Sequence, residues 1–388
     1  MRCSSSIILF DKMMCVVVDL TCNLKDKNKE GVKKMEASGI YYNQETKDNF
    51  VKYFLNDSAG NLSQRTLERK KEAVTTLFNA ACRVEVESNQ DLAEFKFNEQ
   101  YKKVVQSFPA SYDLLTEIFL TAREYIAWCC DNALIESHAL IMNPFMKKVN
   151  WVRVVKDITI EEYTYVRDSI YLSEICDYSL QNVKDWTKDT KVRCVLFAFY
   201  MGVSSEAMKR AEIFDIDLTN NTFLGYAIPD EFLPAFREYR AMDGEYSYGS
   251  RSGFRRYAEP EKFIRSHRKS SASTKQRGAG TGNITQLVYK YDGDLRDPHN
   301  KNIRFRLREV RLYRSKLFNQ IYNQLAWMRD IVPNVSHVDV YKLVRKSLQD
   351  HTRAASKNTM FNYVEFLFYL KMFYPDMLDF ISESDDSK

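Results

Sequence analysis

Between Val192 and Phe199 the apolar residues Val192, Val195, Leu196 and Phe199 recur at helical spacing, which predicts a buried helix. Gly202 breaks that pattern, as glycine does where a chain needs positive φ. A second short helix follows with Ala207, Met208 and Ala211 inward, and I-F-D-I-D then alternates, so a strand begins there. L-T-N-N-T-F-L predicts a turn at Asn220-Asn221 and a second strand. I-P-D-E-F-L-P-A-F-R-E-Y predicts a helix starting near Pro229.

Upstream, an amphipathic helix is expected from Glu45 to about Asn56 with Phe50, Val51, Phe54 and Leu55 inward, then a turn over Ser58 to Asn61. Ser63 is a good N-cap for a helix from Gln64 to about Ala81, because its hydroxyl can accept from an orphan backbone N–H. That helix keeps Leu67, Ala73, Val74, Leu77 and Phe78 for the core and turns Arg65, Arg69, Lys70 and Lys71 outward. Phe95, Phe97, Tyr101, Val104 and Val105 suggest another helix within 84–107. Ser111 to Asn132 reads as a helix running on toward Asn143-Pro144, where Pro144 forces a break. Thr159 with Glu162 predicts a capping box opening a helix at I-E-E-Y.

Toward the C-terminus, Ile303 to Trp327 reads as one long helix. Ile303, Leu307, Val310, Leu317, Ile321 and Leu325 form its buried stripe, and Arg304, Arg308, Arg311 and Arg314 share another face. Val338 to Leu348 and the aromatic-rich Thr359 to Met372 are further helices. Glu259 to Ile264 is a short one, and S-E-S-D-D-S-K closes an acidic tail. Residues 1–34 end in a polar run and are expected to be loosely ordered.

The chain has 388 residues, 45% of them hydrophobic, enough for two or three domains. Net charge is only +5, but its distribution is uneven. Residues 251–316 hold 18 Lys/Arg against 6 Asp/Glu, a net of +12 that leaves the remainder at −7. One concentrated basic segment on an acidic chain is the footprint of a polyanion binder. Eight cysteines show no CxxC pair or metal-ligand spacing, which fits a reducing cytosol and predicts no metal and no cofactor. No 18-residue apolar run exists, so no membrane span is expected. Gly278, Gly280 and Gly282 lack the preceding strand and following helix of a nucleotide-binding loop.

The helix–Gly–helix–strand unit over 192–217 resembles the first signature box of the tyrosine recombinases, the phage integrase family. The Y-I-A-W-C-C-D-N-A-L-I helix end followed by Asn143-Pro144 resembles the end of that family's core-binding domain. The resemblance implies a mainly α fold: a helical SAM-like core-binding domain joined to a catalytic-type domain that is mostly helical with a small antiparallel sheet. It divides the chain into an N-terminal extension at 1–44, a core-binding domain at 45–143, a basic linker at 144–157, a catalytic-like domain at 158–376 and a tail at 377–388. The hairpin that carries the family's catalytic lysine looks truncated here.

In the family, tyrosine attacks a phosphodiester while two arginines, a lysine and histidine-type residues neutralise the phosphate and move protons. The resemblance places Glu206 at the conserved glutamate of box one, but puts Ser204 where the first arginine belongs. R-E-V-R retains Arg311 as the second arginine, with Arg308 in place of a histidine. Tyr363 stands four residues after Thr359 at the nucleophile spacing, and His351 lies nearby but out of register. Losing one positioned cation costs about 10²–10³ in rate, so a catalytically silent DNA binder is expected. Its phosphate contacts would come from Arg65, Arg69, Lys70 and Lys71, and from the linker residues Lys147, Lys148 and Arg153. Further contacts would come from Arg255, Arg256, Arg265, Arg268, Lys269, Lys275 and Arg277, and from Arg304, Arg308, Arg311 and Arg314.

The implied partner is double-stranded DNA, with self-association possible through the helix at 359–375. The implied role is a phage- or mobile-element-encoded transcriptional repressor that maintains lysogeny, located in the bacterial cytoplasm at the nucleoid. An active recombinase with Tyr363 as nucleophile, and a helical partner-binding protein without a DNA role, are the alternatives.

Overall fold

The computed structural model describes residues 41–382 apart from 60–62, 109–111, 148, 159, 161, 181–185, 243–244, 248–253, 258, 266–283, 285–287, 289–293 and 352–358. The fold is mainly helical with small sheets. It divides into two compact units, Met1–Pro109 with Asp113–Lys147, and Lys148–Lys388 with Ala110–Tyr112.

In the first unit, α1 (Gln44–Ala59) and α2 (Gln64–Ser88) pack together, joined by α3 (Asn98–Gln106), α4 (Tyr112–Asp131) and the short α5 (Ser137–Met142). Tyr41 sets its ring edge against Phe78 at 5.7 Å, so a residue ahead of the expected boundary at 45 already packs on this unit. Ser63 caps α2 as expected, accepting from Thr66 N at 3.3 Å. The helix runs seven residues past Ala81 and stops where Asn89 turns left-handed at φ 51°. It continues because Val84 and Glu85 both face inward. Phe97, expected inside, is 65% exposed: it is the residue before α3, and Gln100 rather than core packing holds its backbone N–H. The helix expected to run through 132–142 is interrupted, because Ala133 adopts φ 57° between α4 and α5.

One feature of this unit has no signature in periodicity. Lys47 is fully buried and bonds Glu85 at 2.7 Å, with Asp91 3.6 Å away. Tyr125 and Asn43 donate to Asp91, and the backbone N–H of Leu92 donates to Glu85. Loss of hydration pushes Glu85 up to about 7, outweighing the pull of Lys47.

The second unit opens with α6 (Val149–Asp157), which packs on the late helix α13 (Thr359–Phe373). The stretch expected as linker therefore contributes a helix to this unit's own core, with Val152, Val154 and Val155 buried. No helix starts at the capping box either. Glu162–Tyr163 is strand β1, and Arg306 draws Glu162 away at 2.7 Å. The next helix is α7 (Ser169–Leu180), capped by Asp168 accepting from Tyr171 N at 2.8 Å. Thr159 lies outside the described residues.

Helix α8 (Trp186–Met201) is buried on every side from Cys194 to Met201, between α11 (Glu309–Arg329) and α10 (Leu233–Ala241). A helix apolar all round belongs inside a core, and this one organises the unit. After it come α9 (Ser205–Arg210) and a three-stranded antiparallel sheet of β2 (Ile216–Asp217), β3 (Thr222–Phe223) and β4 (Tyr226–Ala227). The strand β4 was not legible in the sequence; Leu224 and Gly225, at φ 50° and 79°, make the two-residue turn that forms it. Strands β5 (Glu245–Ser247) and β6 (Phe254–Arg256) add an antiparallel pair in the Gly/Ser-rich region. Residues 259–264 are not a helix: Lys262 bridges Glu212 instead, and Phe263 and Ile264 enter the core.

Strand β7 (Arg304–Phe305) pairs in parallel with β1, so the long helix expected from Ile303 starts only at Glu309. Arg304 and Arg308 therefore do not share a helix face with Arg311 and Arg314. Leu307 is buried outside the helix, and Val310 is 38% exposed, against expectation. Strand β8 (Val335–Ser336), α12 (His337–Gln349) and α13 lead to α14 (Asp376–Phe380) and strand β9 (Ile381–Ser382), which pairs in parallel with β8. The expected tail thus begins as structure, with Met377, Leu378, Phe380 and Ile381 buried.

Candidate functional site

The residues singled out by the resemblance lie on or beside α8, α9, α11 and α13, with α11 packed against both α8 and α13. Gly202 ends α8 at φ 105°, with its N–H and that of Val203 donating to the last carbonyls of the helix. Ser204 is the N-cap of α9, accepting from Ala207 N at 2.9 Å. The position that lacks the arginine thus has a structural occupation of its own. Glu309 reaches across from α11, accepting from Ser205 Oγ and, at 3.4 Å, from Ser205 N. A carboxylate therefore stands one residue from the position where phosphate chemistry wants a cation. Glu206 is exposed.

Arg311 and Arg314 converge on Glu365 of α13, a carboxylate that sequence reading missed because it sits inside an aromatic run. Arg314 pairs closely with one oxygen of Glu365, and Arg311 lies 3.7 Å from the other. Arg311 also donates to Tyr165 Oη at 2.6 Å, with its guanidinium 5.2 Å from that ring's centre. Both guanidiniums are engaged within the unit, Arg311 with 16% and Arg314 with 10% of its side chain exposed. Arg308 is half-buried before α11 and donates to the Leu307 carbonyl at 3.1 Å.

Tyr363 is 1% exposed, and its hydroxyl has no hydrogen-bond partner. Its ring packs edge-on to Tyr341 at 5.7 Å, and burial pushes the phenol well above its ordinary value. A nucleophilic tyrosine needs a base within reach and an approach for the phosphodiester. His351 is occupied elsewhere: its Nδ1 lies 2.9 Å from Tyr313 Oη. Much of the described part of α13 is buried as well, Val364 and 366–370 included, so this stretch of the helix expected to serve self-association packs within its own unit.

The basic positions divide. Lys71 and Arg304 are exposed, and so is Arg69, 4.0 Å from Glu117. Lys70 lies over the Phe54 ring at 4.4 Å, so it is not simply outward. Lys147 is half-buried, and Arg153 donates to Asn150 Oδ1 at 3.3 Å. Arg255 and Arg256 stand on β6 opposite Tyr246 and Glu245. Arg265 is buried at 3% exposure and cannot contact a duplex backbone. Lys148, Arg268, Lys269, Lys275, Arg277 and the side chain of Arg65 lie outside the described residues.

Among the described residues no cluster of His, Cys, Asp and Glu could hold a metal ion, and no helix is long and apolar enough to cross a membrane. No family model matches the chain, and no curated protein matches its sequence.

Proposed function

We propose that this protein binds specific double-stranded DNA on a recombinase-like scaffold without cutting it, and acts as a transcriptional regulator, a repressor encoded by a phage or mobile element. The observation that carries the silent half of this reading is Tyr363. Its hydroxyl is enclosed, and the arginine that would serve it, Arg311, is held by Glu365 and Tyr165. The binding half rests on charge. Residues 251–316 carry a net +12, and Arg69, Lys71 and Arg304 remain exposed to meet phosphate.

The experiment is fluorescence anisotropy on intergenic duplexes of the encoding element, with a nicked suicide substrate run in parallel. Six to ten phosphate contacts would lower affinity by about 10³–10⁵ between about 50 and 200 mM salt. The suicide substrate should yield no covalent adduct. A flat salt dependence would overturn the binding half, and a phosphotyrosyl adduct the silent half.

A further inference from the structure

Arg265 enters the core of the second unit two residues after Phe263, whose own N–H and carbonyl are both bonded. Phe263 N donates to the Ala211 carbonyl at 2.9 Å, and Tyr239 Oη donates to the Phe263 carbonyl. The guanidinium carbon sits 5.2 Å from the ring centre of Tyr239 and 5.8 Å from that of Tyr257. Both rings are buried. Nε and Nη1 are buried and donate to nothing. Beside it, Lys191 of α8 reaches in and donates Nζ to the Arg265 carbonyl at 2.8 Å. Burial, then the charge of Arg265, lowers the Lys191 ammonium to about 8, and among the described residues no carboxylate offsets them.

After Glu261 the sequence supplies no counter-charge until Asp292. From 262 to 291 the chain has seven Lys/Arg and not one Asp or Glu. Burying a guanidinium whose donors are unmet, with a half-buried ammonium on its own backbone carbonyl, is strongly unfavourable unless an anion joins them. A guanidinium offers paired N–H donors in the geometry of an oxyanion, and an ammonium adds a point charge beside it. We propose that Arg265 and Lys191 form a buried oxyanion site that takes a small, free anion of the phosphate class. Tyr239 and Tyr257 hold the guanidinium plane in place. A backbone phosphate carries the same chemistry but is tethered to a duplex, and a side chain 3% exposed is out of its reach. The inference does not depend on DNA binding.

The test is thermal unfolding of the full chain in inorganic phosphate against chloride at matched ionic strength. At tenfold excess over Kd, phosphate should raise Tm by roughly 3–6 °C. Arg265→Met should abolish the rise. In chloride Arg265→Met should melt no lower than the wild type, because it removes an uncompensated charge, and in phosphate that order should reverse. A random-sequence duplex should shift wild type and variant alike. A second measurement needs no variant: the ³¹P line of phosphate should broaden on titration with wild-type protein.

A sharp ³¹P line, or an equal Tm rise in wild type and Arg265→Met, overturns the site. A rise given by the duplex alone and lost in Arg265→Met overturns the assignment to a free anion, and puts the phosphate on the DNA backbone instead.

Discussion

The ring of Tyr313 lies across Gly202, its Cε2 2.8 Å from the place a Cβ at residue 202 would occupy. The glycine is also at φ 105°, which L side chains rarely adopt. Two independent reasons therefore keep this junction free of a side chain, and both act where α8 hands over to α9. Gly202→Ala should destabilise the second unit by about 2–4 kcal/mol, measured by urea unfolding. Gly225→Ala is the control. Its φ is 79° but nothing lies within 4 Å, so only the backbone cost of about 1–2 kcal/mol should appear.

Glu365 lies between Arg311 and Arg314, facing one with each carboxylate oxygen. Glu365→Gln takes that negative charge out of a nearly closed site. The expected loss is about 3 kcal/mol by chemical denaturation. A loss under about 1 kcal/mol would mean that solvent already screens the cluster.

Tyr363→Phe removes a hydroxyl that bonds to nothing. Stability should stay level or rise by up to about 1 kcal/mol, because a buried unsatisfied group disappears. The function proposed above requires that duplex affinity and repression in cells stay unchanged. An active recombinase would lose its function outright with this substitution.

Glu85 titrates near pH 7 in the fold against an ordinary value of 4.5. The folded state therefore holds a proton that the unfolded chain releases between those values. Stability should fall as pH rises from about 4.5 to 7, by about 2–3 kcal/mol over that window. Glu85→Gln, which keeps an acceptor for Leu92 N, should flatten the profile across the same range. Unfolding of the first unit followed at several pH values would show either slope.

Helices with apolar faces were legible: α1, α2, α4, α8 and α12 stand close to where periodicity puts them, and Ser63 and Gly202 play the parts their chemistry suggests. What misled was short-range pattern without its long-range partner. Thr159 and Glu162 have the spacing of a capping box, yet Arg304 and Phe305, far along the chain, turn Glu162–Tyr163 into a strand. Arg304, Arg308, Arg311 and Arg314 have helical spacing, but that strand pairing delays the helix to Glu309 and breaks the row apart. The charges hid most. Lys47, Glu85, Glu365 and Arg265 read as surface by residue type, and only the pairing or crowding of distant elements shows that each is buried. At the candidate site, the sequence did not reveal the acid that meets the turn after Ser204, Glu309, because it comes from a helix over 100 residues away.

The parallel pairing of Val335 with Ile381 joins residues 46 positions apart, with α12, α13 and α14 strung between them. Closing such a clasp carries the chain-entropy cost of bringing together residues that far apart, a cost the docked helices between them reduce. A label fused directly behind Ser382 would hang from a seam rather than from a loose end. Pulling on it would peel β9 from β8 before any helix of the unit felt the load.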